Sequence, residues 1–181
     1  MKKLLIVVTA STVFASGALA DPVTKTLTID KPNFEGSRTV IRDKEAGALS
    51  RDAELTRKSD GATATRSYDR ARTDDGFTAS GNSTNFRGQT RSFNLDRSRN
   101  QTGATTTGTF TGRGGENYDL SGNRSRTETG FIANQSVTNS AGERVYNRDR
   151  SVSRADGQVT RSTSVTRAEG FKRPRAGRRN R

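Results

Sequence analysis

Residues 76–114 read GFTASGNSTNFRGQTRSFNLDRSRNQTGATTTGTFTGRG, a short arm, a long arm and a second short arm, each opened by a glycine. The same ruling runs on both sides. From Gly61 through Gly76, Gly88, Gly103, Gly115, Gly130, Gly142 and Gly157 to Gly170 the spacings are 15, 12, 15, 12, 15, 12, 15 and 13 residues. This is a two-arm repeat of 27 residues in four copies, the last stretched to 28. A fixed period of this length marks a repeat architecture, because compositional low complexity has no need of registration.

The arms are filled with Thr, Ser and β-branched or aromatic residues, which suit strands. Alternate positions share a face. Phe77, Ala79 and Gly81 lie on one side of their arm, as do Ala104, Thr106, Gly108 and Phe110, and Phe131, Ala133 and Val137. In the long arms Phe93 shares a face with Leu95, and Tyr118 with Leu120. The opposite side carries Thr78, Ser80, Asn82 and Thr84, or Thr105, Thr107, Thr109 and Thr111. One face is therefore weakly apolar and the other rich in hydroxyls and amides. Asp-Gly at 60–61, 75–76 and 156–157, and Thr-Gly at 102–103 and 129–130, mark the tips, since Asp-Gly between alternating runs is a strong hairpin signal. Two-residue tips at these dipeptides set Gly81 opposite Arg70, Gly108 opposite Arg97, and Leu95 opposite Phe110.

Arginine placement chooses between two topologies. Arg70, Arg97 and Arg124 recur at 27 residues, as do Arg72, Arg99 and Arg126. A parallel solenoid would stack these like charges about 4.8 Å apart, which is unfavourable. In an antiparallel meander equivalent arms are two strands apart. The expected fold is therefore all-β: an antiparallel β-meander of about ten strands built from 27-residue two-strand repeats, as a single sheet, extended or curled into an open barrel.

Upstream of the repeat, residues 23–30 (VTKTLTID) alternate cleanly as a half-buried strand, and residues 37–42 (SRTVIR) form a second. Residues 43–60 have a composition that permits helix. Gly47 precedes Gly61 by fourteen residues, however, so Ser50 to Arg57 read as a degenerate arm.

The ends are different in kind. Lys2 and Lys3, an apolar run from Leu4 to Leu19, and Ala18-Leu19-Ala20 form an export signal helix cleaved after Ala20, which places the mature chain in the periplasm or outside the cell. The last residues, FKRPRAGRRNR, carry Lys172, Arg173, Arg175, Arg178, Arg179 and Arg181 with no acid among them and read as a disordered basic tail. The organisation is thus a signal at 1–20, N-terminal strands at 21–60, four hairpin repeats at 61–169, and the tail at 170–181.

The chain has no Cys and no His. That excludes disulfides, Cys nucleophiles and His-based triads, and leaves no motif for a metal or cofactor. Asp60, Asp75 and Asp156 sit at turn positions where Asp is a structural choice, so the chain reads as non-enzymatic. The net charge is +13. Between Gly61 and Glu169 there are sixteen Arg and no Lys. Arg forms bidentate pairs with phosphate, sulfate and carboxylate. Arg70, Arg72, Arg97, Arg99, Arg124 and Arg126, with the six basic tail residues, are the candidate site for an anionic polymer of the cell envelope, lipid head groups or extracellular nucleic acid. The competing use of these arginines is structural, as ion pairs with Asp69, Asp96 and Asp149 across the sheet. Leu, Ile, Val and Phe number only 22 in the 161 residues after Ala20, a thin supply for a core. That scarcity favours a second reading: a structural or adhesive protein that self-assembles through its sheet edges.

Overall fold

The computed structural model describes residues 21–171, and these are all-β. The strands are β1 (Val23–Lys31), β2 (Phe34–Asp43), β3 (Ala48–Arg57), β4 (Thr63–Arg72), β5 (Gly76–Thr84), β6 (Thr90–Arg99), β7 (Gly103–Thr111), β8 (Asn117–Thr127), β9 (Gly130–Asn139), β10 (Arg144–Ala155) and β11 (Gln158–Arg167). They follow one another in the sheet in sequence order, β1 through β11, so the topology is the antiparallel meander. The strands number eleven rather than ten because residues 21–60 supply three. The stretch whose composition permits helix is β3, paired along its length with β2 and β4. The expected export signal at 1–20 and the basic residues 172–181, expected to be a disordered tail, lie outside the described residues.

The described residues form two compact units, divided between Asp96 and Arg97 within β6. In the first unit the ring pairs Phe34–Phe86 and Tyr68–Phe93 pack at 5.5 and 6.2 Å between centroids, and Ala79 is buried. In the second, Phe110 stacks on Tyr118 at 4.7 Å, and Phe171 lies against both Tyr118 and Tyr146. Val137, Tyr146 and Val152 are buried there. Phe171, just past the last strand, thus supplies the second unit with a ring that its strands do not.

The glycines that set the period fall into two structural classes. Gly88, Gly115 and Gly142 have φ of +73°, +89° and +81°, the left-handed region open to Gly. Each closes a three-residue loop. In two of these loops an asparagine precedes the turn: Asn85 Oδ1 accepts from the amides of Arg87 and Gln89, and Asn139 Oδ1 from those of Ala141 and Glu143. Gly76, Gly103 and Gly130 instead begin strands β5, β7 and β9, and none has positive φ.

This second class corrects the expected register. Thr73 and Gly76 exchange backbone bonds at 3.3 and 3.4 Å, so the tip is Asp74-Asp75, not Asp75-Gly76. Gly81 consequently pairs with Tyr68, while Arg70 faces Ala79. At the next such tip Asn100 N bonds Gly103 O at 3.1 Å, placing the turn at Gln101-Thr102, with Asn100 Oδ1 accepting from the amides of Thr102 and Gly103. That tip lies one residue earlier than Thr102-Gly103, so the expected partner of Arg97 is displaced by two. The third closes as Thr127 opposite Gly130. Only Asp156-Gly157 is the type I′ turn that Asp-Gly signals: its φ values are +51° and +74°, between Ala155 and Gln158.

The β3–β4 loop holds a local ion pair. Arg57 Nε donates to Asp60 Oδ1 at 2.9 Å, its Nη2 lies 2.8 Å from Oδ2, and the Ala62 amide donates at 3.1 Å. The Arg57 hydrogen bond first, then the Ala62 amide, hold the Asp60 carboxyl below the usual aspartate value. A carboxyl with a depressed folded pKa stabilises the fold above its unfolded pKa, and that contribution is lost as pH falls through the folded value. In an NMR carboxyl titration Asp60 should therefore titrate at lower pH than an unstructured aspartate, and Arg57→Gln should raise its midpoint. An ordinary midpoint in the unaltered chain would show that the pair does not form in solution.

Candidate functional site

Strand register sorts charge onto opposite sides of each unit. In the first unit, cross-strand partners place Lys25, Val40, Arg51 and Tyr68 on one face, together with Leu27, Arg38, Ala53, Arg66, Arg70 and Ala79. The other face carries Thr26, Thr39, Asp52 and Ser67, with Glu54, Asp69 and Ser80. The second unit repeats the division. Arg124, Ala133 and Arg150 share a face with Leu120, Val137 and Tyr146, whereas Asp119, Asn123, Asn134, Asp149 and Ser164 share the other. Each unit thus has an arginine face, which also holds nearly all the large apolar side chains, and a hydroxyl face, which holds the carboxylates of its strands.

This separation overturns pairing of the arginines with Asp69, Asp96 and Asp149. Each of these acids is followed directly by an arginine, as Asp69-Arg70, Asp96-Arg97 and Asp149-Arg150. Successive residues of a strand point to opposite faces, so the two charges are held on opposite sides of the sheet. The ion pairs found among the described residues involve Arg57 with Asp60, and Lys58 with Asp30 and Glu35, at one end of the first unit.

The six strand arginines singled out from sequence all lie on arginine faces. Arg70 and Arg72 stand on β4 of the first unit, paired with Ala79 and Phe77. The guanidinium of Arg70 lies 4.2 Å from the centre of the Phe77 ring. Arg124 and Arg126 stand on β8 of the second unit, opposite Ala133 and Phe131. Arg124 lies 3.9 Å from the Phe131 ring centre, and Arg150 approaches the same ring at 5.4 Å. The Arg–Phe offset is seven residues in both places, two repeats apart. Stacking uses the flat face of the guanidinium and leaves its N–H edge free to meet a planar oxyanion.

The middle repeat differs, since Ala104 stands where a ring would follow Arg97. Arg97 is half-buried and its Nε has no hydrogen-bond partner. Burial first, then the charges of Arg99 and Arg124, push its pKa down from the ordinary arginine value.

The basic residues from Lys172 to Arg181 are not described, but Phe171, directly before them, is seated on the arginine face of the second unit beside Tyr118 and Tyr146. The sequence reading omitted Arg38, Arg51 and Arg66 of the first unit, and Arg148, Arg150, Arg154, Arg161 and Arg167 of the second. Strand parity was the signal that could have found them, because each shares it with a neighbouring apolar residue.

The hydroxyl face of the second unit holds a depression of about 330 Å³ lined in part by Asn123, Ile132, Asn134 and Asp149. There Asn134 Nδ2 donates to Asp149 Oδ1 at 2.6 Å and Asn147 Nδ2 to Asp149 Oδ2 at 2.6 Å. The depression contains one carboxylate, bonded by amides. Among the described residues no group of three or more Asp, Glu, His or Cys is placed to hold a metal ion. Comparison with protein-family models, curated proteins and solved structures finds no match for this chain.

Proposed function

We propose that this is an exported, non-enzymatic protein of the cell envelope that holds an anionic polymer against its arginine faces. The observation that carries the reading is the sorting of charge. A sheet that used its arginines for internal ion pairs would place acids beside them, whereas here the flanking positions are apolar, small or aromatic. Most of these arginines are exposed, Arg70, Arg72, Arg99, Arg124, Arg126 and Arg154 among them. Side chains at alternate positions recur about every 7 Å along a strand, and a ladder at that pitch suits a ligand with repeated negative charge better than a single small anion. The basic residues Lys172, Arg173, Arg175, Arg178, Arg179 and Arg181, which follow Phe171 in the chain, add six further positive charges.

The ligand class is tested by binding to a labelled DNA duplex as a polyanion of known charge density, with neutral dextran as the control. A face making six or more phosphate contacts should lose on the order of a thousandfold in affinity between about 50 and 200 mM salt. Affinity that is unchanged by salt, or equal for dextran, would rule the reading out.

A further inference from the structure

The two units differ in how their charges balance. The hydroxyl face of the first unit carries Asp52 and Glu54 on β3 and Asp69 on β4, flanked across the strands by Ser37, Thr39, Thr65, Ser67 and Ser80. These short neighbours leave the three carboxylates standing above the surface, and all three are exposed. No ion pair engages them among the described residues. The second unit's hydroxyl face has Asp119 and Asp149 on its strands, and Asp149 is already bonded by two amides. The acid-rich face thus belongs to one unit, while the second unit's arginine face has little acid behind it.

We propose that copies of this chain associate face to face, the arginine face of the second unit in one molecule resting on the hydroxyl face of the first unit in the next. Three matches support the fit. Charge is opposite, with Arg124 and Arg126 set against Asp52 and Glu54. Side-chain length is complementary, since long guanidinium arms meet Ser and Thr, and sheets pack about 10 Å apart when their side chains interdigitate. Pitch is shared, because both pairs are alternate residues of a strand and recur at the same spacing of about 7 Å. The contact joins two different surfaces, so it is heterologous and propagates past the dimer into a larger ring or an open filament. Burial gained in this way adds to a core whose buried apolar side chains are Ala79, Val137, Tyr146 and Val152.

Association on these terms competes with polyanion for one face and leaves the other uninvolved, so it can be tested apart from the proposed function. Light scattering of the purified full chain in low salt should show a mean mass rising with concentration past the dimer and returning to the monomer in high salt. Asp52→Asn, Glu54→Gln and Asp69→Asn together should weaken association at least tenfold while leaving binding to the DNA duplex undiminished. Arg124→Glu with Arg126→Glu should also be monomeric alone. An equimolar mixture of the two variant proteins retains one complementary pair of faces and should stop at a one-to-one complex. Circular dichroism identical to the unaltered chain secures the variants as folded. A strict monomer at all concentrations, a plateau at the dimer for the unaltered chain, or association indifferent to the acid-face triple variant would each overturn the proposal, the last pointing to the sheet edges instead.

Discussion

Replacing Arg124 and Arg126 together by Ala is expected to weaken polyanion binding by at least tenfold in low salt and to flatten its salt dependence. Both side chains are exposed on β8. Arg124 is held over the Phe131 ring at 3.9 Å, so its N–H edge is pre-oriented and little rotamer freedom remains to be lost on binding. Each phosphate contact on duplex DNA contributes about 0.9 to the slope of log affinity against log salt, so the double variant should lose roughly 2 from that slope. Phe131→Ala gives the internal control. It keeps both charges, removes the stacking, worth about 0.5–1 kcal/mol at an exposed site, and should cost only a few-fold in affinity with the slope intact. Full affinity in the double variant would move the ligand off this face of the second unit. An equal loss in Phe131→Ala would mean that the ring, not the charge, makes the contact.

The second large effect concerns stability. Gly130→Ala should destabilise the fold by about 3 kcal/mol, through the strain of forcing two strands apart, which for a chain of this size lowers the melting temperature by roughly 10 °C. A Cβ built at Gly130 overlaps the carbonyl oxygen of Val152 on β10, and one at Gly103 overlaps that of Arg124 on β8. These are backbone atoms inside a strand ladder, so relief requires separation of the strands. Gly142 is the contrast: its φ is +81° and a Cβ there meets nothing within 4 Å. Gly142→Ala should cost only the left-handed backbone penalty, about 1 kcal/mol. Thermal unfolding followed by circular dichroism separates the two. Equal losses at Gly130 and Gly142 would show that the glycines form one class, as their even spacing suggests.

Much of the arginine face was legible in the chain without coordinates. Arg97 and Arg99 have the parity of Phe93 and Leu95, and Arg124 and Arg126 that of Tyr118 and Leu120. The Asp-Arg dipeptides at 69–70, 96–97 and 149–150 carried the same information, since consecutive strand residues cannot share a face. The ring contacts were less accessible. Arg70 meets Phe77 and Arg124 meets Phe131 diagonally across a tip, and the tip geometry decides which diagonal is short. Phe171 over Tyr118 and Tyr146 had no local signal, because it joins residues far apart in sequence that only a folded sheet brings together.

The sequence alone determined the strands, their antiparallel succession and the two-faced alternation, because an evenly spaced glycine and a period of two leave few other arrangements. Tertiary structure decided the register. Asp74-Asp75 and Gln101-Thr102 form the tips without a positive φ, while Gly76 and Gly103 move into the strands. The displacement changes each partner by two residues rather than one. A shift of one would have turned every side chain to the other face, whereas a shift of two exchanges partners and preserves the faces. That parity is why the apolar and hydroxyl faces could be read from the residues while the pairing of Gly81 with Tyr68 could not.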